Sequence, residues 1–183
     1  MLEVKFTPFP EINTERLLLR KLADPDADIL FSMRSSETVM KYIDKERTKD
    51  IDETLLLIRK INDAAEAGEG ITWAMAFPEK PEELIGTIGF WRIMHQHYRA
   101  EIGYMLHPDH WSKGLMKEAV KALIRYGFDS MKLHSIEAHI NPGNEASAGL
   151  LEKTGFVREA YFKEDFYFRG RFLDTAIYSL LEK

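Results

Sequence analysis

The stretch LHPDHWSKGLM, residues 106–116, runs out of a predicted β-strand and into a predicted α-helix. The first amides of a helix have no intrahelical partner, and the helix dipole places partial positive charge there. Gly114 lets the backbone approach an anion closely, while Ser112 and Lys113 add a hydroxyl and a cation. The stretch therefore fits a turn that binds phosphate without a metal, although a helix capped by Ser112 explains the same residues equally well. It is neither a three-glycine dinucleotide fingerprint nor a Walker loop.

The composition is that of an ordinary globular protein. The 183 residues are 45% hydrophobic and 30% charged, enough for one sizeable core, and we expect a single domain over residues 1–183. The absence of cysteine excludes disulfides, thiolate metal sites and a cysteine nucleophile. A net charge of −5 disfavours a nucleic-acid partner and slightly favours cationic amines or basic peptides. No apolar run reaches membrane-spanning length and the first residues do not resemble a secretory signal, so we expect a cytoplasmic protein with no membrane partner.

Hydrophobic periodicity predicts the order β-α-α-β-β-β-α-β-α-β-β. The predicted strands are residues 12–20, 71–77, 84–93, 99–106, 133–140, 156–168 and 172–181, and the predicted helices are 24–34, 50–68, 113–131 and 145–154. A helix between two strands implies a parallel crossover, and hairpins imply antiparallel pairs. We therefore predict an α+β (mixed α/β) fold with a twisted, mixed sheet of about seven strands and helices on both faces. Ligands bind such sheets beyond the carboxyl ends of parallel strands, here after Leu106 and Ile140.

Seven short motifs, in order along the chain, carry a resemblance to a known family. Any one of them is weak, but their order and spacing together are specific. They are TERLLLR (14–20), LIGTIGF (84–90), AEIGY (100–104), WSKG (111–114), NEAS (144–147), EKTGF (152–156) and Gly170 with Asp174. From about residue 10 to residue 181 the chain resembles the GNAT N-acetyltransferase superfamily, and more narrowly its Rim-type branch, which acetylates the N-termini of ribosomal proteins.

The resemblance implies how a cofactor would bind. In the family, two central parallel strands splay apart and the pantetheine arm of acetyl-CoA enters the gap, with no metal. The backbone of residues 104–106 would lie beside that arm, and the amides of residues 113–116 would bind the pyrophosphate. The implied cofactor residues are Tyr104, Met105, Leu106, Trp111, Ser112, Lys113, Gly114, Leu115, Met116, Asn141, Asn144 and Ser147.

Two positions depart from the family pattern. Met116 stands where the family often has Gly or Ala, so its side chain must point away from the phosphates. Leu151 stands where many members have a tyrosine that protonates the departing thiolate. In the Rim-type branch a serine at the position of Ser147 is a proposed substitute, and this chain has it.

Acyl transfer to an amine needs a group that accepts the amine's proton and another that protonates the sulfur. Glu101 is our candidate base; the alternative is an exposed strand glutamate, or one paired with Arg92 or Arg99. Ser147 is the candidate proton donor; the alternative is that it is an ordinary helix serine whose hydroxyl bonds to its own backbone. Asn144 fits an N-cap as well as a cofactor contact.

The sequence leaves the acceptor open. We expect its site in residues 35–48, 93–98 and 163–172. In the last of these segments Glu164 and Asp165 would attract a cation, and the alternative is that they are simply charges at the side of a turn. His95 and His97 lack a third ligand nearby in sequence, so no metal site is expected. Protein N-termini, polyamines, amino acids and aminoglycoside-like amines all remain open.

The resemblance thus implies an N-acetyltransferase that moves an acetyl group from acetyl-CoA to a primary amine by direct attack in a ternary complex. The alternative is a CoA-binding module that has lost transfer and acts as a sensor or adaptor; Met116 and Leu151 favour it. Homodimerisation is possible, since an open sheet has free edges.

Overall fold

A computed structural model describes residues 1–182, which form one eight-stranded sheet with helices on both faces. The strands are β1 (Ile12–Asn13), β2 (Leu18–Lys21), β3 (Ile71–Ala76), β4 (Gly86–Met94), β5 (Arg99–Leu106), β6 (Ser135–Ile140), β7 (Val157–Phe168) and β8 (Arg171–Leu181). The helices are α1 (Ala27–Ser35), α2 (Glu37–Met40), α3 (Ile51–Glu66), α4 (Leu115–Arg125) and α5 (Glu145–Lys153). Within residues 1–182, no helix has both the length and the apolar character needed to cross a membrane.

The strand order in the sheet is β1-β2-β3-β4-β5-β6-β8-β7, and β5 with β6 is the parallel pair. These two strands pair only over Arg99–Glu101 and Ser135–Glu137, although β5 continues to Leu106 and β6 to Ile140. Beyond Glu101 the two strands therefore separate toward their carboxyl ends. This gap is the feature of the fold that creates a site.

Each face of the sheet has its own hydrophobic core, because side chains alternate along a strand. Trp73 of β3 is fully buried on one face, with α4 and α5 packed above it through Leu123 and Leu151. Its neighbour Ala74 points to the other face, where α1 and α3 pack through Leu30 and Ile58. The predicted mixed sheet covered on both faces is confirmed.

The predicted first strand, residues 12–20, is wrong in its middle: β1 and β2 form a hairpin. Thr14 closes the turn, since its amide donates to the Leu17 carbonyl and its Oγ1 accepts from the Leu17 amide at 3.0 Å. The turn is fixed from outside as well, because Glu118 on α4 accepts hydrogen bonds from Thr14 and Arg16. This division raises the strand count from about seven to eight.

The predicted helix over residues 113–131 is shorter than expected at both ends. It begins at Leu115, because Ser112 and Gly114 adopt left-handed backbone angles with φ of 59° and 76°. It ends as an α-helix at Arg125 and continues as a wider π-helical turn over Tyr126–Ser130. The late start leaves the residues before Leu115 as a turn at the carboxyl end of β5.

Candidate functional site

A cleft of about 320 Å³ opens where β5 and β6 separate. It is lined by residues of β4, β5, β6 and α5, by the loop after α2, and by the β7–β8 hairpin. Six of the residues that the sequence singled out lie together in it, namely Glu101, Tyr104, Asn141, Asn144, Ser147 and Asp165. This is the candidate active site.

The α5 side of the cleft carries a pair of hydroxyl groups. Tyr104 Oη lies 2.7 Å from Ser147 Oγ, and Ser147 is only 7% exposed. Burial raises the pKa of Tyr104 to about 12, although the hydrogen bond with Ser147 opposes the rise. The phenol is therefore neutral at physiological pH and holds a proton beside Ser147. Sequence reasoning assigned only the backbone of Tyr104 to the site; the signal for the phenol was its place on the strand that faces α5.

Glu101 lies in the same cleft and is only 6% exposed. Arg92 Nη1 approaches Glu101 Oε2 at 3.1 Å, but Oε2 accepts no hydrogen bond from residues 1–182. The sequence offered two alternatives to a catalytic role for Glu101. The prediction that it is an exposed strand residue is wrong, whereas the predicted pairing with Arg92 is present. A buried carboxylate with a free acceptor position is suited to accept a proton.

Glu137 and His139 on β6 extend this polar cluster, and sequence reasoning missed both. Glu137 is the register partner of Glu101 across the parallel pair, with Arg99 Nη1 at 3.2 Å from its Oε2 and His139 Nε2 at 3.3 Å from its Oε1. Glu101, Glu137 and His139 offer ligand atoms within 4.8 Å of one another. Arginines already pair with both carboxylates, so the cluster does not need a cation for charge balance, and the absence of a metal stays a prediction.

One of the two histidines that the sequence considered for a metal, His95, contacts the N-terminal segment. His95 Nδ1 lies 2.9 Å from the Leu2 carbonyl, and the Leu2 amide donates to the His95 carbonyl. His95 therefore ties residue 2 to the end of β4.

The turn before α4 has an open helix N-terminus. Gly114 is the N-cap residue, with no side chain bonded to the first amides, so the interpretation of Ser112 as the cap is wrong. Left-handed angles at Ser112 and Gly114 give the kind of concave backbone that binds anions. The amides that follow Gly114 are available to a phosphate.

The apolar side chains that flank this turn face the protein interior, whereas Trp111, Ser112 and Lys113 within it are exposed. Leu115, Met105 and Leu106 are buried, and Met116 packs against the core, so only their backbone groups are placed to meet a ligand. The expectation that Met116 points away from the turn agrees with this packing. These residues, together with Trp111, Ser112, Lys113 and Gly114, lie outside the lining of the 320 Å³ cleft. Trp111 Nε1 donates to the Leu106 carbonyl at 2.8 Å and thereby fixes the turn against β5.

Arg16 is a further cation at the turn that sequence reasoning missed. Its Nη1 donates to the Lys113 carbonyl at 3.1 Å, and its Nε pairs with Glu118 Oε2 at 2.7 Å. The motif TERLLLR contained it, but nothing local showed that it reaches a turn almost 100 residues later. The guanidinium adds positive charge where an anion would bind.

Asn144 and Asn141 both make local contacts at the start of α5. The Asn144 side chain caps the helix by accepting from the Ser147 amide at 3.1 Å, and Asn141 Oδ1 accepts from the Gly143 amide at 2.9 Å. Both residues also line the cleft. Leu151, one turn beyond Ser147, is fully buried in the core.

Residues 16–157 match the model of the acetyltransferase (GNAT) domain family. The chain belongs to the GNAT acetyltransferase family. It is 36% identical to the uncharacterized N-acetyltransferase YoaA of Bacillus subtilis over 174 residues, 95% of this chain and 98% of that one. It is 31% identical to the ribosomal protein uS5-alanine N-acetyltransferase of Escherichia coli over 66% of this chain and 62% of the relative.

A solved relative shows the same architecture. The structure of spermidine N-acetyltransferase from Vibrio cholerae in complex with CoA and spermine superposes with a TM-score of 0.80 at 26% identity, covering 92% of this chain and 96% of that one. The resemblance to the GNAT superfamily and the fold that it implied are confirmed, and the chain is an N-acetyltransferase.

Proposed function

We propose that this GNAT protein transfers an acetyl group from acetyl-CoA to a primary amine, by direct attack in a ternary complex. The observation that carries the proposal is the cleft between β5 and β6, where the buried Glu101 and the Tyr104–Ser147 pair lie together. The chain has no cysteine to carry an acyl group, which supports direct transfer. We also propose that residues 1–183 form one such domain, located in the cytoplasm.

The residues present fit acetyl-CoA. The open N-terminus of α4, the left-handed turn before it and the guanidinium of Arg16 are suited to the pyrophosphate. The pantetheine arm would enter the gap between β5 and β6. This gap is bordered by the stretch of β5 beyond Glu101, which is not paired with β6, and by Asn141 and Asn144. The Vibrio cholerae relative was crystallised with CoA, which supports the assignment. Acetyl-CoA, when bound, supplies the acetyl group as an activated thioester.

The residues of the cleft divide the two proton transfers between them. Glu101 accepts the proton that the acceptor nitrogen loses as its bond to the carbonyl carbon forms. Ser147 donates a proton to the sulfur as the carbon–sulfur bond breaks, and Tyr104 replaces that proton through the 2.7 Å hydrogen bond. Arg92 pairs with Glu101 and Arg99 pairs with Glu137, which fixes the positions of the two carboxylates. Ser147 and Tyr104 thereby fill the role that Leu151 cannot.

The proposal is tested by release of the CoA thiol from acetyl-CoA in the presence of an amine panel of N-terminal peptides, polyamines and amino acids. We expect release above background with at least one amine, and a loss of about 100-fold or more in kcat for Glu101→Gln without loss of CoA binding by calorimetry. CoA binding with no thiol release for any amine would support the CoA-binding module instead. An unchanged rate in Glu101→Gln would remove Glu101 as the base.

A further inference from the structure

A second cleft, of about 190 Å³, adjoins the first on the acceptor side. Its walls are residues 37–47, around and after α2, and the tip of the β7–β8 hairpin. Ile43, Asp44, Lys45 and Asn141 line both clefts, so the two clefts are adjacent. An acceptor bound with its amine near Glu101 would extend into this second cleft.

The second cleft is cationic, although the chain as a whole carries a net charge of −5. Five cationic side chains and two carboxylates line it, namely Lys41, Lys45, Arg47, Arg169 and Arg171 with Glu37 and Asp44. Arg47 is neutralised by Glu37 at 2.8 Å, and Arg169 by Glu46 at 2.7 Å. Over the part of the chain that the structure describes, Lys41, Lys45 and Arg171 have no carboxylate within ion-pair distance.

Lys45 is the cation best placed to meet an acceptor. Its Nζ lies 3.8 Å from the centroid of the Trp91 ring, and that ring packs on Gly103, two residues after Glu101 on the same face of β5. The aromatic face holds the ammonium over the passage between the two clefts without neutralising it.

The environment of Lys45 also favours an incoming anion. Lys45 as a whole is exposed, but partial desolvation of its ammonium is the main cause that lowers its pKa. The nearby cations Arg34 and Arg92 lower the pKa further, and Glu101 opposes them. Three cations near one another repel, and a bound anion would relieve that repulsion. Asp44 responds in the same setting, because burial raises its pKa while Arg171 lowers it.

We infer that the acceptor amine carries an anionic group, a carboxylate or a phosphate, which Lys45 and Arg171 bind in the second cleft while the amine lies at Glu101. This rests on the proposed N-acetyltransferase function and names its substrate class. Since Lys45 borders both clefts, the anion must lie only a few bonds from the amine, as in a peptide with an acidic residue in its first two positions. A polyamine is disfavoured, because its other ammonium groups would enter a cationic space. The charge of the whole chain suggested the opposite preference.

The test compares matched acceptors that differ in one charge. The peptides Ser-Asp-Ala-Ala and Ser-Asn-Ala-Ala, both with amidated C-termini, have the same shape and differ by one carboxylate. O-phosphoethanolamine and ethanolamine form the corresponding small-molecule pair, so that the two arms distinguish a peptide source from a small-molecule source. The readout is kcat/KM for thiol release, with spermidine as the cationic reference.

We expect the anionic member of at least one pair to be favoured about tenfold or more, chiefly through KM, with the preference falling as ionic strength rises. Lys45→Gln and Arg171→Gln should each bring the ratio toward one, and Lys45→Arg should keep it. Lys49→Gln is the matched control, since Lys49 is an exposed cation of the same loop that lines neither cleft. Lys45→Glu should reverse the preference toward Ser-Lys-Ala-Ala.

Equal rates within both pairs, or a preference for spermidine, in an enzyme that does release thiol would overturn the inference and leave the proposed function standing. A ratio that survives in both Lys45→Gln and Arg171→Gln would overturn it too, because the anion would then bind elsewhere. No thiol release with any amine would count against the proposed function itself.

Discussion

At the residue scale, the Tyr104–Ser147 pair explains how the chain manages without a tyrosine at position 151. Leu151 is buried in the core, so no side chain there would reach the cleft without repacking. The phenol of Tyr104 enters instead from the neighbouring strand and bonds to Ser147. In the mechanism that we propose, the proton source therefore lies on β5 and at the start of α5 and not at position 151, and it faces the same gap.

Replacing Tyr104 with Phe tests this role. With a pKa of about 12, the phenol is protonated throughout the range from pH 6 to pH 9. We therefore expect kcat to fall about 10- to 100-fold in the variant, and by a similar factor at each pH in this range. The KM for acetyl-CoA should change little, because the ring remains. Tyr161→Phe is the matched control, since its phenol bonds to Asp174 on the exposed hairpin and lies outside both clefts. A Tyr104→Phe enzyme as active as the wild type would exclude the phenol from proton transfer.

At the element scale, the Trp91 ring of β4 lies against the β5 backbone only because position 103 is glycine. A Cβ added there would collide with the Trp91 ring, whose centroid lies 3.8 Å from Lys45 Nζ. The glycine therefore sets the position of the aromatic wall between the two clefts. Trp91 itself is 39% exposed, so its place depends on these contacts more than on burial in the core.

Gly103→Ala should therefore displace Trp91. We expect a loss of about 1–3 kcal/mol in the free energy of unfolding, from overpacking, with a change in tryptophan fluorescence. Gly149→Ala is the control, because a Cβ there meets nothing within 4 Å in the interior of α5, and helix propensity predicts a gain of about 0.5–1 kcal/mol. Urea unfolding of both variants measures the difference. Equal stability of the two would show that Trp91 can move at no cost.

Contacts between elements also fix the β1–β2 hairpin to α4 through Glu118. This carboxylate accepts from Thr14 Oγ1 at 2.6 Å, from the Arg16 amide at 2.8 Å and from Arg16 Nε at 2.7 Å. Partial burial alone would raise the pKa of Glu118, but these hydrogen bonds outweigh it and lower the pKa. The stability they provide is present above the unfolded pKa of about 4.3 and is lost as pH falls through the lower folded value.

Glu118→Gln should thus destabilise the protein by about 1–3 kcal/mol at pH 7, and by progressively less as the pH is lowered below about 4.3. Urea unfolding at pH 7, 5 and 4 measures the gap between variant and wild type. The control is Glu66→Gln, whose exposed carboxylate lies 3.4 Å from Lys21 and should contribute less than about 1 kcal/mol. A gap that widens on acidification would contradict the assignment.

The same contacts show which parts of the structure the sequence could predict. The bounds of β5, Arg99–Leu106, follow from local apolar patterning and agree with the prediction. The break between β1 and β2 depends on Glu118, about 100 residues away, which no local pattern contains. In the same way, motif order placed Glu101 and Ser147 near one gap. The pairing of Ser147 with Tyr104, and the reach of Arg16 to the turn, depend on packing between distant elements.

At the scale of the whole molecule, β5 and β6 join two parts of the sheet, and only three residue pairs are in register between these strands. One part holds β1–β5 and the turn before α4, and the other holds β6–β8 with α5 packed nearby. A ligand in the gap contacts both parts and replaces the strand pairing that is absent there. CoA should therefore stabilise the fold globally as well as locally.

We expect CoA at 100 times its Kd to add about 2.7 kcal/mol to the free energy of unfolding, which for a chain of this size raises Tm by roughly 5–11 °C. Gly114→Val should remove most of this shift, because its side chain strains a φ of 76° and enters the phosphate turn. Gly170→Val is the matched control: its φ is 82° and it lies at the hairpin tip, so it should lower the Tm of the free protein but keep the CoA shift. The measurement is the Tm of the wild type and of the two variants, each with and without CoA. If Gly114→Val keeps the full shift, the pyrophosphate does not bind at the turn before α4, and the cleft between β5 and β6 must hold CoA by its pantetheine arm alone.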